Sequence, residues 1–330
     1  MADATIRDVA RRAQVSVATV SRTLNRLENV SEETRTRVAD AVRELGYVPH
    51  AGARSLSLSR TNAIGVVLPD LHGEFFSEIV RGMDREASRL GYLLLLSNLH
   101  GRKQQAANAL LAMRGRVDAM LVMAPQLSEA ELSGALPERL PTLLINTRTQ
   151  EGGRSSIHLD NAAGARAVVE HLVKLGRRRV VHIAGPQGNI DAQERADAFR
   201  KTCAGHGVAY EIVAGDFSEG SGVAAVQMLL EQGVAFDGIF AANDNMAIGA
   251  LQALRASGVV VPADVALVGF DDIPLARHLG LSTVRVRIAE LGEHAVARLL
   301  AIVGGEDKGG DELHAPELIV RSTSARVDSK

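Results

Sequence analysis

At 330 residues the chain is too long for one small core and suits two or three domains. Its 46% apolar and 23% charged residues are ordinary for a globular protein, and the single cysteine, Cys203, excludes an internal disulfide and a multi-cysteine zinc site. The net charge of −2 excludes a wholly basic nucleic-acid protein, yet residues 1–60 carry ten Arg and no Lys against seven Asp or Glu, a local +3 on an otherwise acidic chain.

The N-terminal stretch MADATIRDVARRAQ lacks the apolar core of a signal peptide, and no run reaches the ~18 apolar residues of a membrane span, so a cytoplasmic protein is expected. Thr5 with Asp8 three residues on reads as a capping box opening a first helix, whose apolar face is Val9, Ala10 and Ala13. Gln14-Val15-Ser16 breaks it. Ser16 suits the N-cap of a second helix, Val17 to Leu24, with Val20 and Leu24 on one side. After a loop over residues 25–30, Ser31 caps a third helix, with Glu32 and Glu33 at its positive end and Gly46 stopping it. Two short helices across a tight turn with a third behind form a helix-turn-helix, whose second helix enters the major groove. Val17 and Ala18 then suit thymine methyls, Arg22 suits guanine, and Ser16, Thr19, Ser21 and Asn25 suit phosphates. Patterning alone leaves open a three-helix packing module that binds no DNA.

Over residues 5–60, TIRDVARRAQVSVATVSRTLN followed by VSEETRTRVADAVRELGYVP closely resembles the headpiece of the LacI/GalR (lactose-repressor) family. The resemblance implies double-stranded, pseudo-palindromic operator DNA as partner, with Thr5 added to the contacts above. By composition, residues 50–56 are a short helix, marginal in water, followed by a polar linker. The family implies more: a hinge helix that orders on DNA, with Arg54 and Leu56 as contacts and Leu56 as the wedge that kinks the site. Gly52 lowers the helix propensity of that segment.

From residue 63 onward short aliphatic runs (63–69, 92–97, 118–123, 142–146, 180–185, 238–243 and 265–272) alternate with helical-period segments such as 77–90, 164–175, 191–206 and 243–257. Such alternation means parallel sheets covered on both faces, here two doubly wound subdomains. Residues 304–315, GGEDKGGDELHA, read as a polar loop, and the tail beyond has no leucine heptads. Ligands in these sheets sit beyond the carboxyl ends of the strands. There the sequence puts Asp70, Asn98, Asn146, Asp216-Phe217, Asn243-Asp244 and Asp271-Asp272, with Arg195 as a cationic donor. Taken singly each also suits a turn or cap; together they suit a polyhydroxylated ligand.

RTNAIGVVLPD, FFSEIVRGMDREA, GDFSEGSG, FAANDNMAIGALQALRASGVVVP and VALVGFDDIPLA extend the family resemblance to about Ser324. The implied fold is periplasmic-binding-protein-like, closing on an effector held by Asn146, Arg195, Phe217, Asn243 and Asp271, with Asp70 and Phe75 from the first subdomain. Two segments depart from the family pattern: His72-Gly73-Glu74 replaces an Asn-Pro before the Phe pair, and Leu279-Gly280-Leu281 replaces Pro-Pro-Leu.

The expected organisation is an α/β protein: a helix-turn-helix domain over 1–49, a hinge over 50–60, and an effector-binding and dimerisation domain over 61–330 whose chain crosses between subdomains near 160 and 288. The expected function is a homodimeric repressor controlled by a sugar or sugar derivative. A nucleoside or purine co-repressor, or a solute-binding protein without a DNA role, remains an alternative. No catalytic residue, metal or cofactor is expected: Walker, GxGxxG, HExxH and GxSxG motifs are absent, GPQGNID (185–191) lacks the lysine of a phosphate loop, and the ten His are scattered.

Overall fold

The computed structural model describes residues 4–25, 30–48, 60–99, 103–147 and 153–324. Contacts divide the chain into two units, Met1–Asn62 and Ala63–Lys330. The hinge residues Arg54 and Leu56 lie outside the described residues.

In the first unit, helix α1 (Ile6–Ala13) opens on the Thr5/Asp8 capping box and ends at Gln14 in the left-handed region. Ser16 caps α2 (Val17–Leu24) by accepting from the Thr19 N–H, and Ser31 caps α3 (Glu32–Leu45), which Gly46 terminates at φ 58°. Val9, Ala10, Ala13, Val20, Val38 and Ala41 form its small core. These positions point inward, which leaves the polar faces, with Val17 and Leu45, outside.

The second unit contains two parallel sheets. The first uses β1 (Ala63–Leu68), β2 (Leu93–Asn98), β3 (Ala119–Met123), β4 (Thr142–Ile145), β5 (Ser156–Leu159) and β11 (Asp311–His314), in the order β11-β5-β4-β3-β1-β2. The second uses β6 (Arg179–Ile183), β7 (Ala209–Val213), β8 (Gly238–Ala241) and β9 (Ala266–Val268), in the order β7-β6-β8-β9. In each, the second strand in sequence lies outside the first and later strands build the other way, which is the doubly wound pattern with its switch point between β1 and β3 or between β6 and β8. Helices α4 (Glu74–Arg89), α5 (Lys103–Met113), α6 (Glu129–Leu132), α7 (Asn161–Lys174), α8 (Ile190–Gly205), α9 (Glu219–Glu231), α10 (Asp244–Ala256), α11 (Pro274–His278) and α12 (Ile288–Gly304) connect them.

The chain leaves the first sheet after β5 and returns through α12, which packs on α4, β3 and β4. It then crosses a third time, from β11 to β12 (Glu317–Ile319), which pairs with β10 (Thr283–Arg285). Two crossings were expected from sequence; the third goes with a correction. Residues 311–314, expected as loop, are a strand parallel to β5. Asp-Glu-Leu-His has no apolar run because this strand is at the sheet edge, where only one side is paired. At the α4–α12 crossing Gly82 lets the backbones touch: a Cβ there would lie 1.9 Å from the Ala289 carbonyl oxygen.

His182 on β6 is fully buried and stacks on Phe240 at 4.6 Å, its Nδ1–H donating to the Phe240 carbonyl oxygen at 2.9 Å. Burial pushes its pKa down to about 4. The unfolded chain takes up this proton near pH 6.5 but the folded chain only near pH 4. Stability from this group is therefore complete above pH 6.5 and falls as the pH drops toward 4, by about 2 kcal/mol at pH 5. His182→Leu is expected to lose that part of the acid sensitivity whatever its stability at pH 8, as urea unfolding at pH 5 and 8 will read. An unchanged pH dependence would contradict the assignment.

Candidate nucleic-acid interface and ligand cleft

In the first unit the outer face of α2 begins at its capped N-terminus. Ser16, Val17, Ala18 and Arg22 are exposed, with Val17 at 42%, while Val20 on the opposite side is fully buried. Thr19 donates or accepts with Ser16 across 2.9 Å between their hydroxyls, and the Asn25 amide donates to the Ser21 hydroxyl at 3.4 Å. Thr5 is engaged in its own cap, its hydroxyl donating to Asp8 Oδ2 at 2.6 Å. Arg11, Arg12 and Arg43 pair with Asp8, Glu44 and Asp40 at exposed positions, and such pairs contribute little to stability. What remains is an exposed helix end bearing small apolar groups, hydroxyls and a guanidinium. Those groups match the chemistry of thymine methyls, phosphates and guanine edges.

In the second unit the carboxyl ends of the two sheets meet. The Ile190 N–H donates to the Pro125 carbonyl oxygen at 2.9 Å, and the Leu275 N–H donates to Glu74 Oε2 at 3.0 Å. Glu74, one of the residues that departs from the family pattern, thus ties the first subdomain to α11 of the second.

Between these links lies a buried polar cluster centred on Arg195. Its Nε donates to Asn161 Oδ1 at 2.8 Å, its Nη1 donates to the Ala242 carbonyl oxygen at 2.5 Å, and its guanidinium lies 3.7 Å from the Phe270 ring centroid. The Asn161 amide donates in turn to Asp191 at 2.8 Å and Glu194 at 2.9 Å. Asp191 also bonds the Asn146 side chain, whose Oδ1 accepts from the Leu159 N–H. Asn243 caps α10 and donates from Nδ2 to the Phe217 carbonyl oxygen at 3.0 Å. Asp244 accepts from the Thr283 hydroxyl and the Ile273 N–H.

Burial raises the pKa of Asp191 and Glu194, and burial together with the nearby Asp271 charge raises that of Asp244. Burial pushes Asp271 up to about 7, against the opposing pull of Arg195. Asp191 and Asp271 thus face one guanidinium, and their burial disfavours the charged form of each.

Of the seven residues expected to hold a ligand, Asn146, Arg195, Phe217, Asn243 and Asp271 converge on this cluster. Asp70 folds back instead, its Oδ1 accepting from the Leu71 and His72 N–H groups, and Phe75 packs edge-on against Phe76 at 5.3 Å. Asp244, named among the strand ends, belongs to the cluster as well, and so do Asn161 and Asp191, which the sequence did not single out. Three of the converging residues are strained, with φ of 45° at Asn146, 72° at Phe217 and 117° at Asp271. Non-glycine residues held at positive φ cost of order 1–3 kcal/mol and gather at ligand sites.

An open groove of about 890 Å³ borders the cluster on the flank between β5–β11 and α7–α8, where Asn161 and Glu194 line it together with His158, Arg166, Lys201 and Asp311. None of the seven expected ligand residues lines it. The strand-end cluster joins buried charge, backbone strain and the sheet switch points at one place.

Residues 5–50 match the family model described as bacterial regulatory proteins, lacI family, and residues 169–324 match the periplasmic binding protein-like domain. The chain is 35% identical to the ribose operon repressor of Halalkalibacterium halodurans over 326 residues, covering 97% of each. It is 33% identical to the HTH-type transcriptional repressor CytR of Escherichia coli, covering 97% of this chain and 96% of that one. Its structure resembles that of the lac repressor dimer bound to operator and the anti-inducer ONPF, with a TM-score of 0.89, 29% identity and coverage of 98% of this chain and all of that one.

Proposed function

The chain belongs to the lacI family of bacterial regulatory proteins, a DNA-binding transcription regulator rather than an enzyme, and from that membership we propose a homodimeric repressor whose operator affinity is set by a sugar or sugar derivative in the strand-end cleft. The observation that carries the ligand half is the Arg195 cluster. Buried carboxyls of raised pKa beside a guanidinium supply acceptors and donors for vicinal hydroxyls, with the Phe217 and Phe270 rings close by. A relative named for a ribose operon and a solved relative in complex with cellobiose support the carbohydrate class.

Support for the dimer comes from β2. It is apolar yet an edge strand, with Leu93, Leu95 and Leu96 exposed at 71%, 37% and 45%. An apolar edge left in water pairs with another chain, and the lac repressor of similar structure is titled a dimer on its operator. Two heads related by a two-fold axis then read a pseudo-palindrome. No helix among the described residues is long and apolar enough to cross a membrane.

DNA contacts are proposed for Thr5, Ser16, Val17, Ala18, Thr19, Ser21, Arg22 and Asn25, with Arg54 and Leu56 from the hinge. The test is site selection from random duplexes with the full-length protein, followed by binding of the selected site to wild type and Arg22→Ala. The variant is expected to lose about 1–3 kcal/mol of discrimination while keeping its salt-dependent affinity for unrelated DNA. An equal loss on every sequence would remove Arg22 from the base contacts.

A further inference from the structure

Ten histidines are scattered through the sequence, but the fold brings two of them onto one carboxylate away from the ligand cleft. His294 projects from α12, and Glu312 and His314 come from β11, where an i, i+2 spacing puts both on the same face of the strand. His294 Nε2 lies 2.9 Å from Glu312 Oε2, and His314 Nε2 lies 2.8 Å from Glu312 Oε1. The two imidazole rings are 5.2 Å apart, and the three donor groups lie within 4.8 Å of one another.

We propose that His294, Glu312 and His314 form a binding site for a divalent transition metal of the zinc type. Two imidazole nitrogens and one carboxylate oxygen are a donor set that zinc accepts, at about 2.0–2.2 Å from each, with a fourth position open to water. Around such an ion the donor atoms are about 3.3 Å apart, as tetrahedral geometry at those bond lengths requires. The nitrogen–oxygen pairs, now 2.9 and 2.8 Å, would lengthen slightly around the ion. His294 is 43% exposed on its side chain, which leaves the ion a path in and a place for water.

The surrounding charge favours a cation. Arg298 approaches Glu312 at 3.3 Å, but its Nε is already met by Asp307 at 3.2 Å and its other nitrogens by the Ser156 and Gly310 carbonyl oxygens at 2.8 Å. Two carboxylates, Glu312 and Asp307, thus meet that one guanidinium before any ion enters. Arg298 is nearly buried and fixes the carboxylate rather than filling the site. The ion would join α12, the helix by which the chain returns to the first subdomain, to the edge strand that follows it.

The test is calorimetric titration of untagged full-length protein with zinc chloride alone, with thermal unfolding measured in parallel. Wild type is expected to bind one equivalent saturably at micromolar zinc and to melt at a higher temperature with it. His294→Ala/His314→Ala is expected to weaken binding at least 100-fold and to lose the thermal shift, Glu312→Gln to weaken it at least tenfold, and His206→Ala, at an exposed helix end, to change neither. Should the double variant not fold, the exposed single change His294→Gln reads the same loss. No saturable binding in wild type, or equal affinity in the histidine variants, overturns the site.

Discussion

Arg195→Ala is expected to destabilise the large unit by about 3–5 kcal/mol and to abolish ligand response together. Arg195 is 5% exposed, and its bonds to Asn161 and the Ala242 carbonyl and its stacking on Phe270 all face inward. Removing it leaves Asp191 and Asp271 buried without the cation that pulls both their pKa values down. It also leaves the Asn161 and Ala242 oxygens buried without their donor, at roughly 1–3 kcal/mol each, and takes the ring contact with Phe270 away. Arg195→Lys keeps the charge but not the planar fork or the ring contact, so it should fall between the two. Urea unfolding reads the stability and calorimetry with a sugar panel reads the ligand. An alanine variant within about 1 kcal/mol of wild type would mean that the cluster is not organised by this guanidinium.

Asp271→Asn is expected to move stability the other way while also costing ligand affinity. Burial holds the Asp271 carboxyl at about 7, above its unfolded value near 4. A carboxyl raised in the fold lowers stability as the pH climbs from 4 to 7, because above 7 the folded chain must hold the charge out of water. The cost is complete above pH 7 and absent below pH 4. The neutral isostere is thus expected to be more stable than wild type at pH 8, by no more than about 4 kcal/mol, and nearly equal to it at pH 4. Ligand hydroxyls donating to the ionised carboxylate would recover that cost, so the variant trades function for stability. Thermal unfolding at the two pH values checks the first half, and ligand titration at pH 8 checks the second. Equal stability at both pH values, or unchanged affinity, would take Asp271 out of the proposed site.

The head was legible because its signals are local. Thr5 with Asp8, Ser16, Ser31 and Gly46 are each read within four residues, and all of them start or stop a helix where expected. In the large unit most strands announced themselves through continuous aliphatic runs, but β5, β7 and β11 did not. β5 is interior yet only four residues long, with Ser156 and His158 breaking its apolar run, whereas β7 and β11 lie at sheet edges, where Tyr210 and Leu313 face solvent and no apolar run is required. β2 misled in the opposite sense: its four leucines read as a buried strand, yet three of them face outward. Periodicity does not tell an interior aliphatic strand from one at the sheet edge, where one side stays unpaired.

The ligand cleft was partly legible for a related reason. Asn146, Asn243 and Asp271 end strands, and topology alone places strand ends at a site. Asp191 and Asn161 sit at helix starts and gain their meaning only from each other, across 30 residues of sequence. Neither composition nor periodicity reports such a pairing. The same holds for His294 and His314, which share a carboxylate only once β11 has joined the first sheet.

The most direct test of the account is the affinity of the full-length protein for its selected duplex at fixed salt, measured by fluorescence anisotropy with and without the carbohydrate that calorimetry identifies. The account predicts a two-fold symmetric site, bound as a dimer, whose affinity changes by about 5–150-fold when ligand is added, with the operator changing ligand affinity by the same factor. Equal affinity for all duplexes, or a selected site whose affinity no saturating ligand alters, would contradict it.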